Sequence, residues 1–307
     1  MNRSICQRLI IIANPSSGRG RVLRKLRTYL RNWPHSGWQC TLLETQGPEH
    51  AGLLAREACV DPPDVLAVCG GDGTLKEVVS SIPDPPCPVG IIPAGTANLL
   101  AQEIGMPVEY RRAIEVILEM AVRRVDLGVL KGRSLHRFLL MAGIGFDGYV
   151  VARLRPAAKR RFGVAAYVAK ALRSHLTYPF EQFQVTVDGA VYPATSCIVA
   201  NACRYGGGLR LTPDADISNG SLEVLVVQSA SSYAYVWFIL SALAGRTPHS
   251  PFIRRFRSRG ARVDGPRGIW VQADGEAVGT LPVEISLAES AFPLIVPAPK
   301  CGNARAN

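Results

Sequence analysis

The sequence predicts an α/β domain built on a parallel sheet, followed by an antiparallel β-sandwich domain. Three observations predict it. Up to residue 125, short continuous apolar runs alternate with helix-like stretches, the pattern of strands buried on both faces by crossover helices. After VDLGVL (Val125–Leu130), strand-like runs follow one another, separated by Asp-Gly, Asn-Gly or Gly-Gly pairs that suit tight turns. A chain of 307 residues, 48% hydrophobic, is long enough for about two such domains. The boundary is placed at 1–125 and 126–289.

In order, Leu9–Ala13 reads as the first strand and Gly20–Asn32 as a basic helix. Val65–Cys69 is a second buried strand, followed by a helix over Leu75–Ser81. Val89–Ile92 is a third strand, followed by a helix from Asn98 and another over Glu109–Met120. In the second half, FLLMAGIGFDGYVV, QFQVTVDGAVYPA, SCIVANA, SLEVLVVQ and IWVQADGEAVGT read as strands, with helices near Gly163–Ser174 and Ser232–Leu243. No fixed-period repeat or low-complexity segment interrupts them.

The net charge of +11 calls for an anionic partner: nucleic acid, nucleotide phosphate or an acidic membrane surface. No helix-turn-helix, RNA-recognition or zinc-finger pattern supports nucleic acid. The eight cysteines form no CxxC pair and several sit in apolar runs, so they read as reduced core residues. The apolar start, LIIIA, is too short for a secretion signal, and the best long apolar stretch, Leu222–Ala244, is broken at Gln228–Ser232. A cytoplasmic protein is expected.

Three glycine-containing turns follow predicted strands: NPSSGRG (Asn14–Gly20), GGDGT (Gly70–Thr74) and PAGTAN (Pro93–Asn98). In a parallel sheet all three fall at the carboxyl edge, where ligands bind. None is a Walker A loop or a clean GxGxxG turn, and the protein-kinase HRD and DFG signatures are absent. Each still offers backbone N–H groups and small hydroxyls (Ser16, Ser17, Thr74, Thr96) suited to phosphate oxygens. Asp72, amid the glycines, would repel a bare phosphate, and Mg²⁺ bridging carboxylate and phosphates removes that conflict. The competing account makes Asp72 a turn-former and the glycines helix caps. It explains one turn more easily than three on one edge.

NPSSG, GGDGTLKEV, IPAGTAN, VDLG, GIGFDG, the stretch Gly206–Gly220 and QADGE run in an order that resembles the diacylglycerol kinase catalytic-domain family. That family includes bacterial lipid kinases and sphingosine and ceramide kinases, with NAD kinases as distant kin. The resemblance spans nearly the whole chain. It implies a nucleotide in a cleft between the two domains, and a C-terminal segment, 290–307, that packs back on the first. It implies nucleotide contacts at Asn14, Ser16, Ser17, Gly18, Gly70, Gly71, Asp72, Gly73, Thr74 and Thr96, with Asp72 positioning Mg²⁺. Thr45 matches a nucleotide-contacting threonine, although Pro48 and Glu49 interrupt the family's following segment. Glu276, with Asp274 beside it, matches the carboxylate that activates the lipid hydroxyl. Asp274-Gly275 is also a good type I′ turn, which by itself would explain an exposed glutamate after it.

Two positions depart from the family. Lys76 stands where relatives carry Asn, either adding charge near a phosphate or facing solvent. Relatives bind a structural Mg²⁺ through an Asp where this chain has Asn219, leaving Asp216, Asn219 and Ser221 as a weakened set, with Asp214 a further carboxylate nearby. Basic clusters at Arg153–Arg161 and Arg254–Arg262, and Arg21, Arg24, Lys25, Arg27 and Arg31, suit an anionic membrane surface or are simply solvated. Phe162, Tyr167, Trp237, Phe238, Phe252 and Phe256 near those clusters either contact acyl chains or fill the core.

The resulting expectation is an ATP-dependent lipid kinase, peripheral at the inner membrane surface, with ATP as co-substrate and Mg²⁺ as cofactor. A soluble-metabolite kinase of NAD-kinase type and an inactive nucleotide-binding regulator are the alternatives. The sequence leaves the lipid and homodimer formation open.

Overall fold

In this computed structural model the run QRLIIIA forms β1 (Gln7–Ala13), which lies between β2 (Trp38–Glu44) and β3 (Val65–Gly70), parallel to both. The structure describes residues 6–154, 169–171, 173–174, 177–205, 209–229, 231, 235, 237, 240–241 and 251–298. Most of the helices predicted at 163–174 and 232–243 lie outside these residues. So do most of the 153–161 cluster, Gly206–Gly208, Phe162, Tyr167, Phe238, Cys301 and residues 299–307. The chain falls into two units, Met1–Arg124 with Phe292–Asn307, and Val125–Ala291.

In the first unit, β4 (Val89–Pro93) pairs in parallel with β3, and Leu294 from the end of the last strand pairs with Val89. Every residue of β3 and β4 is buried, which is why both read as unbroken apolar runs rather than alternating ones. The helices are α1 (Arg21–Arg31), α2 (His50–Ala58), α3 (Asp72–Ser81), α4 (Leu99–Glu103) and α5 (Tyr110–Leu118). α1 turns Leu23 and Leu26 inward and its cations outward; α5 buries Ala113, Ile114 and Ile117 in the same core as Leu9, Ile11 and Val65. At the start of α5 the Glu109 side chain accepts the Arg112 N–H at 3.0 Å, capping one orphan donor.

β2 and α2 have no counterpart in the sequence reading. β2 is an edge strand buried only in part, so WQCTLLE lacks an apolar run, and α2 is made of small residues, burying Ala51, Gly52, Ala55 and Ala58. α3 begins at Asp72 rather than Leu75. Asp72, Gly73 and Thr74 are therefore its first turn, not a loop before it.

The second unit is an antiparallel sandwich. It contains β5 (Val122–Lys131), β6 (Leu135–Phe138), β7 (Met141–Gly145), α6 (Phe146–Ala152), β8 (Phe183–Val187), β9 (Ala190–Ala194) and β10 (Ser196–Ala200). There follow the two-residue strands β11 (Arg204–Tyr205) and β12 (Leu209–Arg210), and then β13 (Leu222–Val227), β14 (Ile253–Ser258), β15 (Gly260–Asp264), β16 (Trp270–Ala273), β17 (Glu276–Thr280) and β18 (Val283–Ile295). One sheet runs β14-β13-β10-β7-β16-β17; the other joins β18, β15, β8 and β9, with β5 pairing β18 and β6 pairing β5. Their inner faces meet in one core, where Ile144, Val199, Val224 and Val271 of the first sheet pack with Phe138, Val185, Val263 and Ile285 of the second.

FLLMAGIGFDGYVV is not one strand. It ends as a strand at Gly145, whose φ of 81° no ordinary strand residue adopts, and Phe146–Ala152 is helical. Gly148 lets that helix lie directly on β16, because a Cβ there would stand 2.2 Å from the Trp270 carbonyl oxygen. No disulfide joins the seven described cysteines, and burial pushes the Cys40, Cys69, Cys87 and Cys197 thiols up to about 12, so none of these four is a thiolate at neutral pH.

Candidate functional site

The three turns of the first unit lock into one another. After β1, the Asn14 backbone N–H bonds the Cys69 carbonyl at 3.0 Å, which aims its side chain toward α3. Its amide nitrogen then donates to Thr74 Oγ1 at 2.9 Å, while its Oδ1 accepts the Ser16 N–H at 2.9 Å. Ser17 donates its N–H to the Asn14 carbonyl at 3.1 Å, rounding the turn. One asparagine thus ties the first turn to the second.

The third turn joins through backbone contact. Ala94 donates to the Gly70 carbonyl at 2.9 Å, and a Cβ on Gly95 would stand 2.5 Å from Gly71 Cα. Only two glycines allow chains this close. Asn98, at φ 50°, closes the turn on itself: its Oδ1 accepts the Gly95 N–H at 2.8 Å and its Nδ2 donates to the Gly95 carbonyl at 3.0 Å. Gly18 links the first and third turns, with φ 54° and a Cβ position only 2.3 Å from the Ala94 oxygen. We predict that Gly18→Ala costs about 1–3 kcal/mol of stability, read by thermal unfolding.

Asp72 stands at the head of α3 beside this junction, lining a small depression with Gly70, Gly71, Leu75, Asn98 and Ala101. Burial raises its pKa above the ordinary carboxylate value, opposed by backbone N–H groups of the 98–100 turn, among them Leu100, which lies 3.4 Å from Oδ1. A partly buried carboxylate whose desolvation is only partly offset by backbone N–H groups gains from a cation, and its oxygens are hard donors of the kind Mg²⁺ prefers. These residues fit a magnesium ion.

Gly73, Ser16 and Thr96 are exposed, with hydroxyls or backbone facing solvent at the turns. Thr45 is buried at the end of β2 and donates its N–H to the Ala13 carbonyl at 2.9 Å, so the strand end next to Asn14 carries it. Lys76 is buried in α3, only 8% exposed, and does not face solvent.

In the second unit, Asp274 and Gly275 form the turn between β16 and β17 at φ 48° and 77°, the left-handed pair of a type I′ turn. The Asp274 carboxylate accepts three backbone N–H groups, from Leu139 (2.8 Å), Leu140 (2.9 Å) and Met141 (3.1 Å). It is thereby a fixed anchor, while Glu276, the first residue of β17, is exposed. Sequence reasoning missed two side chains here. Gln272, fully buried, donates to Asp147 at 2.6 Å and accepts the Gly275 N–H at 2.7 Å. Both stand in quoted motifs, QADGE and GIGFDG, and a buried amide in an apolar strand was the available signal.

The side-chain oxygens of Asp216 and Asn219 are engaged locally. Asp216 Oδ1 accepts from the N–H and hydroxyl of Ser218, and Asn219 Oδ1 from those of Ser221, two successive side-chain turns. Among the described residues no group of three or more His, Cys, Asp or Glu side chains converges as a metal site.

Known proteins carry the same plan. Residues 8–130 match the diacylglycerol kinase catalytic domain, and residues 141–296 match the YegS C-terminal NAD kinase beta sandwich-like domain. A diacylglycerol kinase of Mycobacterium tuberculosis is 28% identical over 296 residues, covering 93% of this chain and 94% of the relative. One from Bacillus subtilis is 25% identical over 283 residues, covering 91% and 92%. A solved Bacillus anthracis chain superposes with a TM-score of 0.77 at 24% identity, over 96% of this chain and 97% of its own length, which bears on the fold alone. Two matched domains in the family's order, on a fold that the solved chain shares, place this protein: the chain belongs to the diacylglycerol kinase catalytic-domain family.

Proposed function

We propose that the protein is an ATP-dependent lipid kinase that moves the γ-phosphate of ATP to a lipid hydroxyl, with diacylglycerol or a related lipid as acceptor. The observation that carries the reading is the interlocked set of turns around Asp72. Phosphoryl transfer demands positioning and charge neutralisation more than covalent chemistry, and preformed turns supply positioning. Backbone N–H groups and hydroxyls of Asn14–Gly18, Gly70–Thr74 and Thr96 hold the phosphates, and Thr45 borders them. Asp72 is the carboxylate that would hold Mg²⁺, which neutralises phosphate charge when bound.

Glu276 takes the proton of the acceptor hydroxyl as its oxygen bonds to the γ-phosphorus and the bond to the β-phosphate oxygen breaks, releasing ADP. The names of the relatives, diacylglycerol kinases, support this class of acceptor. Work at an anionic membrane surface on the cytoplasmic side belongs to the same proposal. α1 carries Arg21, Arg24, Lys25 and Arg31 exposed and no acidic residue, worth about 1 kcal/mol per cation near anionic lipid. The 254–262 cluster offers less, because Arg257, Arg259 and Arg262 pair with Glu223, Glu289 and Asp264. Of the aromatics, Trp237 and Phe252 are exposed, whereas Phe256 packs on Tyr192 and the sandwich core. Among the described residues no helix is long and apolar enough to cross a membrane.

The test is transfer of radiolabelled phosphate from ATP with Mg²⁺ to diacylglycerol, monoacylglycerol, sphingosine and ceramide in phosphatidylglycerol micelles, with NAD as the soluble acceptor. Labelled diacylglycerol is the expected result. Labelled NAD with no labelled lipid would overturn the reading.

A further inference from the structure

On the reading that Glu276 is the proton acceptor, the reaction depends on an exposed side chain that follows a two-residue turn. The turn, however, is gripped from below. We infer that Gln272 and Asp147 form a buried bracket that positions Glu276 for catalysis, without either touching the reacting atoms.

Val271 and Ala273 of β16 point into the sandwich core, so Gln272 between them faces the other side, toward α6. A register shift in the β16–β17 pairing falls between Val271 and Gln272, a bulge of the kind that re-aims side chains beside active sites. Gln272 is completely buried and Asp147 is 4% exposed. The Asp147 carboxylate accepts the Gln272 amide N–H at 2.6 Å, which fixes the orientation of the amide and leaves its oxygen to accept the Gly275 N–H at 2.7 Å. Gly143, paired with Gln272 across the sheet, makes the room: a Cβ there would fall 1.7 Å from Asp147 Oδ2 and 2.8 Å from Gln272 Nε2.

The other half of the turn is held by the Asp274 carboxylate on three backbone N–H groups. Each residue of the turn is therefore clamped by a different hydrogen-bonding group. Glu276 is the next residue along. A buried polar pair is a costly way to hold an ordinary hairpin, since apolar side chains of the same size would pack as well. It is a reasonable way to fix a turn whose following side chain must sit within a fraction of an ångström of its target.

The test uses the full chain with diacylglycerol in phosphatidylglycerol micelles. Gln272→Met keeps the length and removes both hydrogen bonds. The expected result is kcat lowered about 10- to 100-fold with KM for ATP within about twofold. Gln272→Glu can keep both bonds only while it and Asp147 share a proton, so its kcat should fall with rising pH through an ionisation absent from the wild type. A merely structural role would lower the unfolding temperature without adding that ionisation. Glu276→Gln is the companion variant. If it is inactive while both Gln272 variants match the wild type in kcat and pH profile, the bracket is wrong and the assignment of the base stands. A fully active Glu276→Gln overturns both. If Gln272→Met does not fold, the near-isosteric Gln272→Glu profile decides.

Discussion

Replacing Glu276 by glutamine is expected to lower kcat by about 10²–10⁴ and to leave the KM for ATP within about twofold. The substitution keeps the size of the side chain and removes only the ability to accept a proton. The three glycine turns belong to the first unit and the turn before Glu276 is fixed by Asp274 and Gln272, so neither depends on the charge at 276. Glu276 is exposed, and the unfolding temperature should stay near that of the wild type. Steady-state phosphotransfer and a thermal melt on one preparation check both halves. An unchanged kcat would remove Glu276 from the mechanism.

Asp72→Asn separates function from stability. The variant should lose about 10²–10³ in kcat, the usual cost of removing one preorganised electrostatic group at a reacting phosphate. At neutral pH without ligand it should nevertheless melt above the wild type. Burial raises the pKa of Asp72, so the folded chain holds that proton more tightly than the unfolded chain does. The penalty of burying the charge is therefore absent below the ordinary value of 3.8 and fully present above the raised folded value. Asparagine never carries the charge, so its advantage appears near pH 7 and closes as the pH falls toward 4. Adding Mg²⁺ with ATP should raise the melting temperature of the wild type much more than that of the variant. A variant less stable than wild type at pH 7 would mean that the contacts from the 98–100 turn outweigh desolvation.

What could be read in advance followed from burial and from glycine. β3 and β4 announced themselves because strands covered on both faces must be apolar throughout, and β1 through its mostly buried run Leu9–Ala13. The Asp274-Gly275 turn was legible because left-handed backbone at two successive positions is nearly confined to such pairs. β2 and α2 were not legible, since a partly exposed edge strand and an alanine-rich helix carry little periodic signal. α6 was misread because its Phe, Tyr and Val favour strands locally, and the backbone contact at Gly148 overrides them. In the site, the three glycine turns were visible one by one. That Asn14 and Gly18 bind them together was not, because the linking partners are far apart in sequence. The Gln272–Asp147 bond spans 125 positions and leaves no local trace at all.

The first unit is discontinuous. Its sheet takes a fifth strand from the far end of the chain, with Phe292, Leu294 and Ile295 fully buried and the Val296 N–H bonded to the Ala121 carbonyl at 2.9 Å. During synthesis the three glycine turns are made first, yet the flank of β4 stays uncovered until the whole intervening sandwich has been translated. A ribosome-bound intermediate would therefore display an apolar strand edge for the time needed to build some 165 further residues, at about 5–20 residues per second. Cutting the chain after Arg124 would make that transient exposure permanent, so the first unit is a poor candidate for expression by itself.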